Sequence, residues 1–335
     1  MAITLRDVAR AAGVSASAVS RSYTEGAPVS AETRARVRAA AERLGYLPNR
    51  LAASLTTGRT RLIGLVVDDF GNPFLLGVIE AFTRGLQDRG YRPLVINLSG
   101  ESGAEAAVRS LREYSVEAAI IVSTALPPQV SRAFRAAGVP LVHALSRGGG
   151  DPDAVQVGIS DAQAGRMAAK TLHDRGYRRL AFIGGPEKSM PSRDRFNGFR
   201  NMATRYGIDV TASFAPAWSY DAGRAAAQAV LAQGGCDAVF CADDMLALGA
   251  IAAFRADGLS VPQDVGVIGL NDCEMAGWDG IDLTTIAQPV AQIAETAIAL
   301  AVERVSPECD PEAAESRAHV LPCLIVERGT LRPLK

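Results

Sequence analysis

The side chains best able to do chemistry with a partner crowd together near the N-terminus. Residues 1–61 hold ten arginines (Arg6, Arg10, Arg21, Arg34, Arg36, Arg38, Arg43, Arg50, Arg59 and Arg61) against four acids (Asp7, Glu25, Glu32 and Glu42), a net +6. The whole chain of 335 residues sums to −1, so the remainder carries −7. Arginine's planar fork suits a phosphate or another polyanionic edge. A basic head on an acidic body therefore points to a polyanion partner for the head alone.

Other kinds of chemistry have less footing. The five cysteines, Cys236, Cys241, Cys273, Cys309 and Cys323, are odd in number and contain no C-x-x-C. They read as buried free thiols in a reducing compartment. His143, His173 and His319 are scattered, and no Cys/His set has zinc spacing, so neither a metal nor a cofactor is expected. The sequence lacks G-x-G-x-x-G, a phosphate-loop signature, G-x-S-x-G and a histidine paired in sequence with a nucleophile, which argues against an enzyme. No apolar run approaches the roughly 18 residues of a membrane span. The start, MAITLRDVARAAG, lacks the basic-then-apolar order of a secretory signal, so the expected location is cytoplasmic, with no membrane partner.

The elements that would position these groups fall into three stretches. In the first, Thr4 caps a helix over Leu5–Ala12, Gly13 breaks it, and Ser15 caps a short helix over Ala16–Arg21. Ser30 then caps a third helix from Ala31 to Leu44, closed by Gly45. Helix, tight turn, short helix, third helix is a helix-turn-helix unit. Residues 46–61 form a linker in which Pro48-Asn49 can start a short helix that folds only when held by a partner. From Leu62 apolar strands alternate with amphipathic helices: strands at 62–68, 92–98, 118–123 and 139–144, helices at 73–89, 103–114 and 127–137. The rhythm restarts near Val155, with strands at 179–185, 237–242 and 264–270 and helices at 192–205, 220–233 and 243–256. After Leu283 come a short strand, a long helix and one last strand segment at 319–330, so the chain should cross between the two units three times. The fold class is an all-α helix-turn-helix head followed by two doubly wound parallel α/β subdomains, whose ligands bind beyond the carboxyl ends of the strands.

These stretches resemble one family closely. ITLRDVARAAGVSASAVSR (3–21), VSAETRARVRAAAERLGYLPN (29–49) and ASLTTGRTRLIGLVV (53–67) are similar to the lactose-repressor (LacI/GalR) family, as are NPF (72–74), GYRRLAFIGGP (176–186), FNGF (196–199), CADDMLALGA (241–250), VPQDVGVIGLND (261–272) and LTTIAQP (283–289). The resemblance implies a transcriptional repressor that binds a pseudo-palindromic operator as a homodimer under the control of a small carbohydrate-like effector. It implies a head at 1–47, a hinge at 48–59 and a periplasmic-binding-protein-like body at 60–335. Within the body the N-subdomain would be about 60–158 with 288–319, and the C-subdomain about 159–287 with 320–331.

The resemblance also implies roles for particular residues. Ala16, Ser17 and Arg21 would face base edges in the major groove, where Arg21 can grip guanine with two prongs, Ser17 discriminates weakly and Ala16 can only touch a thymine methyl or leave space. Thr4, Ser15, Ser20, Ser30, Thr33 and Asn49 would contact phosphates, although Thr4 and Ser15 would cap their helices with or without DNA. Leu55 would wedge into the minor groove, with Ala52 allowing the paired hinges of a dimer to approach. Phe74, Asp161, Arg193, Arg195, Trp218, Asp243 and Asn271 would line the effector pocket, with Trp218 stacking on a sugar ring and Arg195, on the first turn of a helix, clamping hydroxyls or a carboxylate. The sequence departs from the family where Ser160-Asp161 replaces Asp-Asn, where Asp243 replaces Asn, where Asn271 replaces Asp, and through HALSRGGG (143–150). A sugar or a sugar acid fits this set. The competing readings are a sugar-binding transport protein, which would need a signal peptide and no helix-turn-helix, and a doubly wound enzyme.

Overall fold

The computed structural model describes residues 3–24, 26–48, 58–68, 70–98, 103–123, 128–145, 155–306 and 318–334. The backbone divides into two compact units, Met1–Thr60 and Arg61–Lys335.

In the first unit, helix α1 (Leu5–Ala12), α2 (Ala16–Ser22) and α3 (Ala31–Leu44) enclose a small core of Val8, Ala9, Ala12, Val19, Val37, Ala40 and Ala41. Gly13 ends α1 at φ 63°, a left-handed cap that a side chain would strain. Ser15 and Ser30 cap α2 and α3 by accepting the N–H groups of Ala18 and Thr33. Two arginines brace the unit from α3. Arg34 donates to the Ser22 carbonyl at 3.0 Å and Arg36 to the Ala12 carbonyl at 2.6 Å. The ends of α1 and α2 are thus tied to one scaffold.

The second unit is built on two six-stranded sheets. One runs in the order β11 (Ala318–Leu321), β5 (Val155–Ile159), β4 (Leu141–Ala144), β3 (Ala118–Val122), β1 (Leu62–Val67) and β2 (Arg92–Asn97), all parallel. The other runs β12 (Leu324–Val326), β10 (Thr284–Ala287), β9 (Gly266–Asn271), β8 (Ala238–Cys241), β6 (Leu180–Gly184) and β7 (Val210–Phe214), parallel except for the antiparallel β10–β12 pair. Central strands β3, β6, β8 and β9 are buried throughout, as expected of parallel strands covered on both faces. Helices α4 (Pro73–Asp88), α5 (Gly103–Glu113) and α6 (Pro128–Ala136) belong to the first sheet, and α7 (Asp161–Asp174), α8 (Met190–Arg205), α9 (Tyr220–Ala232) and α10 (Asp244–Ala256) to the second. Helix α11 (Val290–Arg304) returns to pack on α4, β3, β4 and β5. The chain therefore passes between the sheets after β5, after β10 and between β11 and β12.

Two local readings change. The last stretch, read as a single strand segment, is two strands in different sheets, parted at Pro322-Cys323, where proline offers no ladder N–H. Edge strand β7 carries no apolar run and was not expected from its sequence.

Glycine sets how closely the helices of the second sheet approach. A Cβ on Gly165 would stand 2.1 Å from the Arg195 carbonyl oxygen, and one on Gly198 would stand 2.0 Å from that of Ala162. Helices α7 and α8 thus touch backbone to backbone. We expect Gly198→Ala to force them apart at a cost of about 1–3 kcal/mol or more. The shift should appear as a lower denaturation midpoint with unchanged slope.

Candidate functional site

On the head, Ala16, Ser17, Ser20 and Arg21 are all exposed along α2. Ser15 Oγ lies 2.9 Å from Ser17 Oγ. Arg21 donates from Nε to the Ser17 carbonyl at 3.3 Å and from Nη2 to Ser17 Oγ at 3.4 Å. The guanidinium is therefore folded along its own exposed helix face. At the start of α1, Asp7 accepts both the Thr4 N–H, at 3.0 Å, and the Thr4 hydroxyl, at 2.7 Å, which holds its carboxyl below the usual range. Ser30 donates to Thr33 Oγ1 at 2.9 Å. Capping thus occupies part of the capacity of Thr4, Ser15 and Ser30. Asn49, Ala52 and Leu55 lie outside the described residues.

In the second unit, the carboxyl ends of the two sheets frame a polar cleft lined by Asn72, Phe74, Leu75, Arg195, Trp218, Asp243 and Asn271. Asn72 caps α4 by accepting the Phe74 N–H at 3.0 Å, with Pro73 in the first turn. Its Nδ2 then crosses the cleft to Asp243 Oδ2 at 3.0 Å. The same oxygen accepts Asn271 Nδ2 at 2.7 Å, and Asn271 Oδ1 accepts Gln288 Nε2 at 2.7 Å. The other Asp243 oxygen caps α10 through the Met245 N–H at 2.7 Å. Burial raises the Asp243 carboxyl, and its bonds from Asn72 and Met245 hold it back. Beside this chain, Arg195 donates from Nε to Asp161 Oδ1 at 2.7 Å and from Nη1 to the Ala242 carbonyl at 2.6 Å. Arg195 and Asp161 are 3% and 5% exposed, and the guanidinium stands 5.8 Å from the Trp218 ring centroid. The enclosed space is about 20 Å³, room for a single water-sized group.

Of the residues read from sequence, the cleft gathers Phe74, Arg195, Trp218, Asp243 and Asn271. Asp161 meets it through Arg195. Arg193 is exposed and outside the lining. Arg195 lies on the second turn of α8, not the first, because Pro191 lets the helix begin earlier. Asn72 and Gln288 were not expected as site residues, although NPF and LTTIAQP contain them. Asn72 carried only the signal of a helix cap, and its partner Asp243 is 171 positions away. His143 is a core residue of β4, with Nε2 3.1 Å from Ser131 Oγ, while Ser146 and Arg147 are outside the described residues.

Asp244, next to Asp243, is wholly buried. It accepts the Thr285 hydroxyl at 2.6 Å and the Cys273 N–H at 2.8 Å. Burial pushes its carboxyl up to about 7, against an ordinary 3.8. The folded chain then binds a proton that the unfolded chain has released, so this contribution is complete below about pH 4 and is lost as pH rises through about 7. Wild-type protein should gain stability relative to Asp244→Asn on going from about pH 7 to about pH 5, by at most about 1.4 kcal/mol per unit. Paired thermal melts at the two pH values check this.

Among the described residues no cluster of His, Cys, Asp and Glu could hold a metal ion. No helix there is long and apolar enough to cross a membrane. Cys236, Cys241, Cys273 and Cys323 are free thiols raised by burial, and Cys309 lies outside the described residues.

A helix-turn-helix head and a body of two largely parallel sheets around a cleft with both polar and aromatic lining together define a DNA-binding regulator under small-molecule control. Residues 4–49 match the family described as bacterial regulatory proteins, lacI family, and residues 169–331 match the periplasmic binding protein-like domain. The ribose operon repressor of Escherichia coli (strain K12) is 33% identical over 337 residues, 98% of this chain and 99% of that protein. The chain belongs to the LacI family of bacterial transcriptional regulators. The structure of the lac repressor dimer bound to operator and the anti-inducer ONPF matches with a TM-score of 0.86 at 29% identity, over 99% of this chain and 100% of that one. The complex of the transcriptional regulator CelR with cellobiose matches with a TM-score of 0.73 at 29% identity, over 98% and 99%. The relatives are regulators rather than enzymes.

Proposed function

We propose that this chain is a cytoplasmic, homodimeric repressor whose operator affinity is set by a sugar bound between its two sheets. The observation that carries the reading is the Asn72–Asp243 bond across a cleft of about 20 Å³. Ligand pockets usually measure about 300–1,000 Å³. A sugar therefore enters only by parting Asn72 from Asp243, and those residues belong to different lobes. Binding is thereby coupled to lobe movement, which shifts the population of DNA-binding states. Trp218 and Phe74 supply apolar faces, and Asp243, Asn271 and Arg195 supply convergent polar groups for hydroxyls. Gln288 Oε1 is buried with no hydrogen-bond partner among the described residues, an acceptor that a ligand hydroxyl would satisfy.

The two arginines that suggested a sugar acid are accounted for otherwise, Arg195 by Asp161 and Arg193 by its exposure, so the effector is an uncharged sugar. On the head, Arg21 reads a guanine edge with Ser17 and Ala16 beside it, and Thr4, Ser15, Ser20, Ser30 and Thr33 set the register on phosphates. Thermal-shift titration against neutral sugars, beginning with D-ribose and cellobiose, and against their acids tests the effector reading. A bound sugar at about 1,000 times its Kd should add about 4 kcal/mol of stability. Stabilisation by acids alone contradicts the neutral-sugar reading, and stabilisation by none contradicts a sugar effector.

A further inference from the structure

Two consecutive residues at the cleft, neither of them glycine, occupy the left-handed region: Asn271 at φ 122° and Asp272 at φ 59°. Such backbone is costly and persists only where its surroundings hold it, commonly at functional sites. This elbow ends β9 and sets the Asn271 carboxamide between Asp243 and Gln288. It is pinned twice. The Cys273 N–H donates to Asp244 Oδ2 at 2.8 Å. Arg328, just beyond β12, donates from Nη2 to Asp272 Oδ1 at 2.7 Å and from Nη1 to the Leu283 carbonyl at 2.8 Å. Arg328 is fixed in turn, since its own N–H donates to Thr284 Oγ1 at 2.9 Å and the next N–H, from Gly329, to the Asp282 carbonyl at 2.8 Å. The Arg328 and Asp272 side chains are only 21% and 28% exposed, and the guanidinium lies beside the 3₁₀ turn Glu274–Gly277.

We propose that Arg328 is a positioning residue for the cleft: its ion pair with Asp272 holds the elbow in the left-handed form that aims Asn271 at Asp243 and Gln288. Arg328 is not among the residues lining the cleft, and it acts through Asn271. The relevance to ligand binding rests on the cleft being the effector site.

Hydrogen exchange measured by mass spectrometry on the full-length dimer tests the positioning role without any ligand. Arg328→Met and Asp272→Ala should each raise exchange of segment 270–278 by about tenfold, with other segments of the second sheet unchanged. The double variant should raise exchange by less than the product of the two single effects, because both remove the Arg328–Asp272 bond. Asp272→Asn, which keeps an acceptor and tolerates the left-handed backbone but loses the charge, should raise exchange less than Asp272→Ala. Should Arg328→Met fail to fold, Arg328→Lys, which cannot span both acceptors, should show the same local rise at smaller size. Wild-type exchange in the Arg328 variants, or a rise shared equally by the whole second sheet, overturns the proposal. Calorimetric titration with D-ribose separates the two claims. Failure of wild type to bind it counts against ribose as the effector and leaves the exchange result to decide the elbow. Binding unchanged by Arg328→Met despite faster local exchange overturns the link to the cleft.

Discussion

Replacing Arg195 with methionine is expected to lower stability by about 3–5 kcal/mol, because it takes the cation away from a carboxylate buried at 5% exposure. That is a large share of the roughly 5–15 kcal/mol that holds a typical protein folded. Methionine retains most of the aliphatic volume, so the loss reports charge and hydrogen bonding rather than a cavity. Two bonds disappear, to Asp161 and to the Ala242 carbonyl at the end of β8. Adding Asp161→Asn to the methionine variant removes the buried charge that has lost its contact with Arg195 and should recover part of the stability. It should not recover response to the sugar, since the Arg195 guanidinium that would meet hydroxyls is still missing. Chemical denaturation of the single and double variants, with sugar titration of the double, separates the structural share of Arg195 from its share in binding.

Arg21→Ala should have the largest effect on DNA. A two-pronged arginine–guanine contact is worth about 1–3 kcal/mol of discrimination. A homodimer loses it in both half-sites, so operator affinity should fall by roughly 2–6 kcal/mol, while affinity for random duplex changes little. Ser20→Ala, at a position proposed to contact phosphate, should instead weaken binding by a similar small factor on every sequence. Fluorescence anisotropy on operator and scrambled duplexes, at matched salt, distinguishes the two. Equal losses on operator and scrambled DNA for Arg21→Ala would place its guanidinium on the backbone.

The head was the most legible part of the sequence because its signals are local. Thr4, Ser15 and Ser30 fall where three helices begin, Gly13 and Gly45 where two end, and each rule spans only a few residues. The strands of the two sheets were legible where long apolar runs mark burial on both faces, as in Leu62–Val67 and Leu180–Gly184. Edge strand β7, half-buried along its length, carries no such mark. The cleft was legible as a set of residues and not as a set of bonds. Which carboxylate partners Arg195, and that Asn72 reaches Asp243, depend on elements far apart in sequence. The glycine contacts between α7 and α8, and the left-handed elbow at Asn271–Asp272, likewise arise only when distant backbones meet.

Occupation of the cleft by a sugar should change the grip of the head on DNA. The most direct measurement is anisotropy of a labelled duplex carrying the palindromic site preferred by the protein, titrated with the full-length protein in the presence and absence of a sugar that binds it. Tight, salt-sensitive binding is expected, with a midpoint that shifts by about 5–150-fold with the sugar, the usual range of allosteric coupling, and no shift in a variant carrying Arg195→Met with Asp161→Asn. A sugar that binds wild type tightly and leaves the operator midpoint unchanged would contradict it.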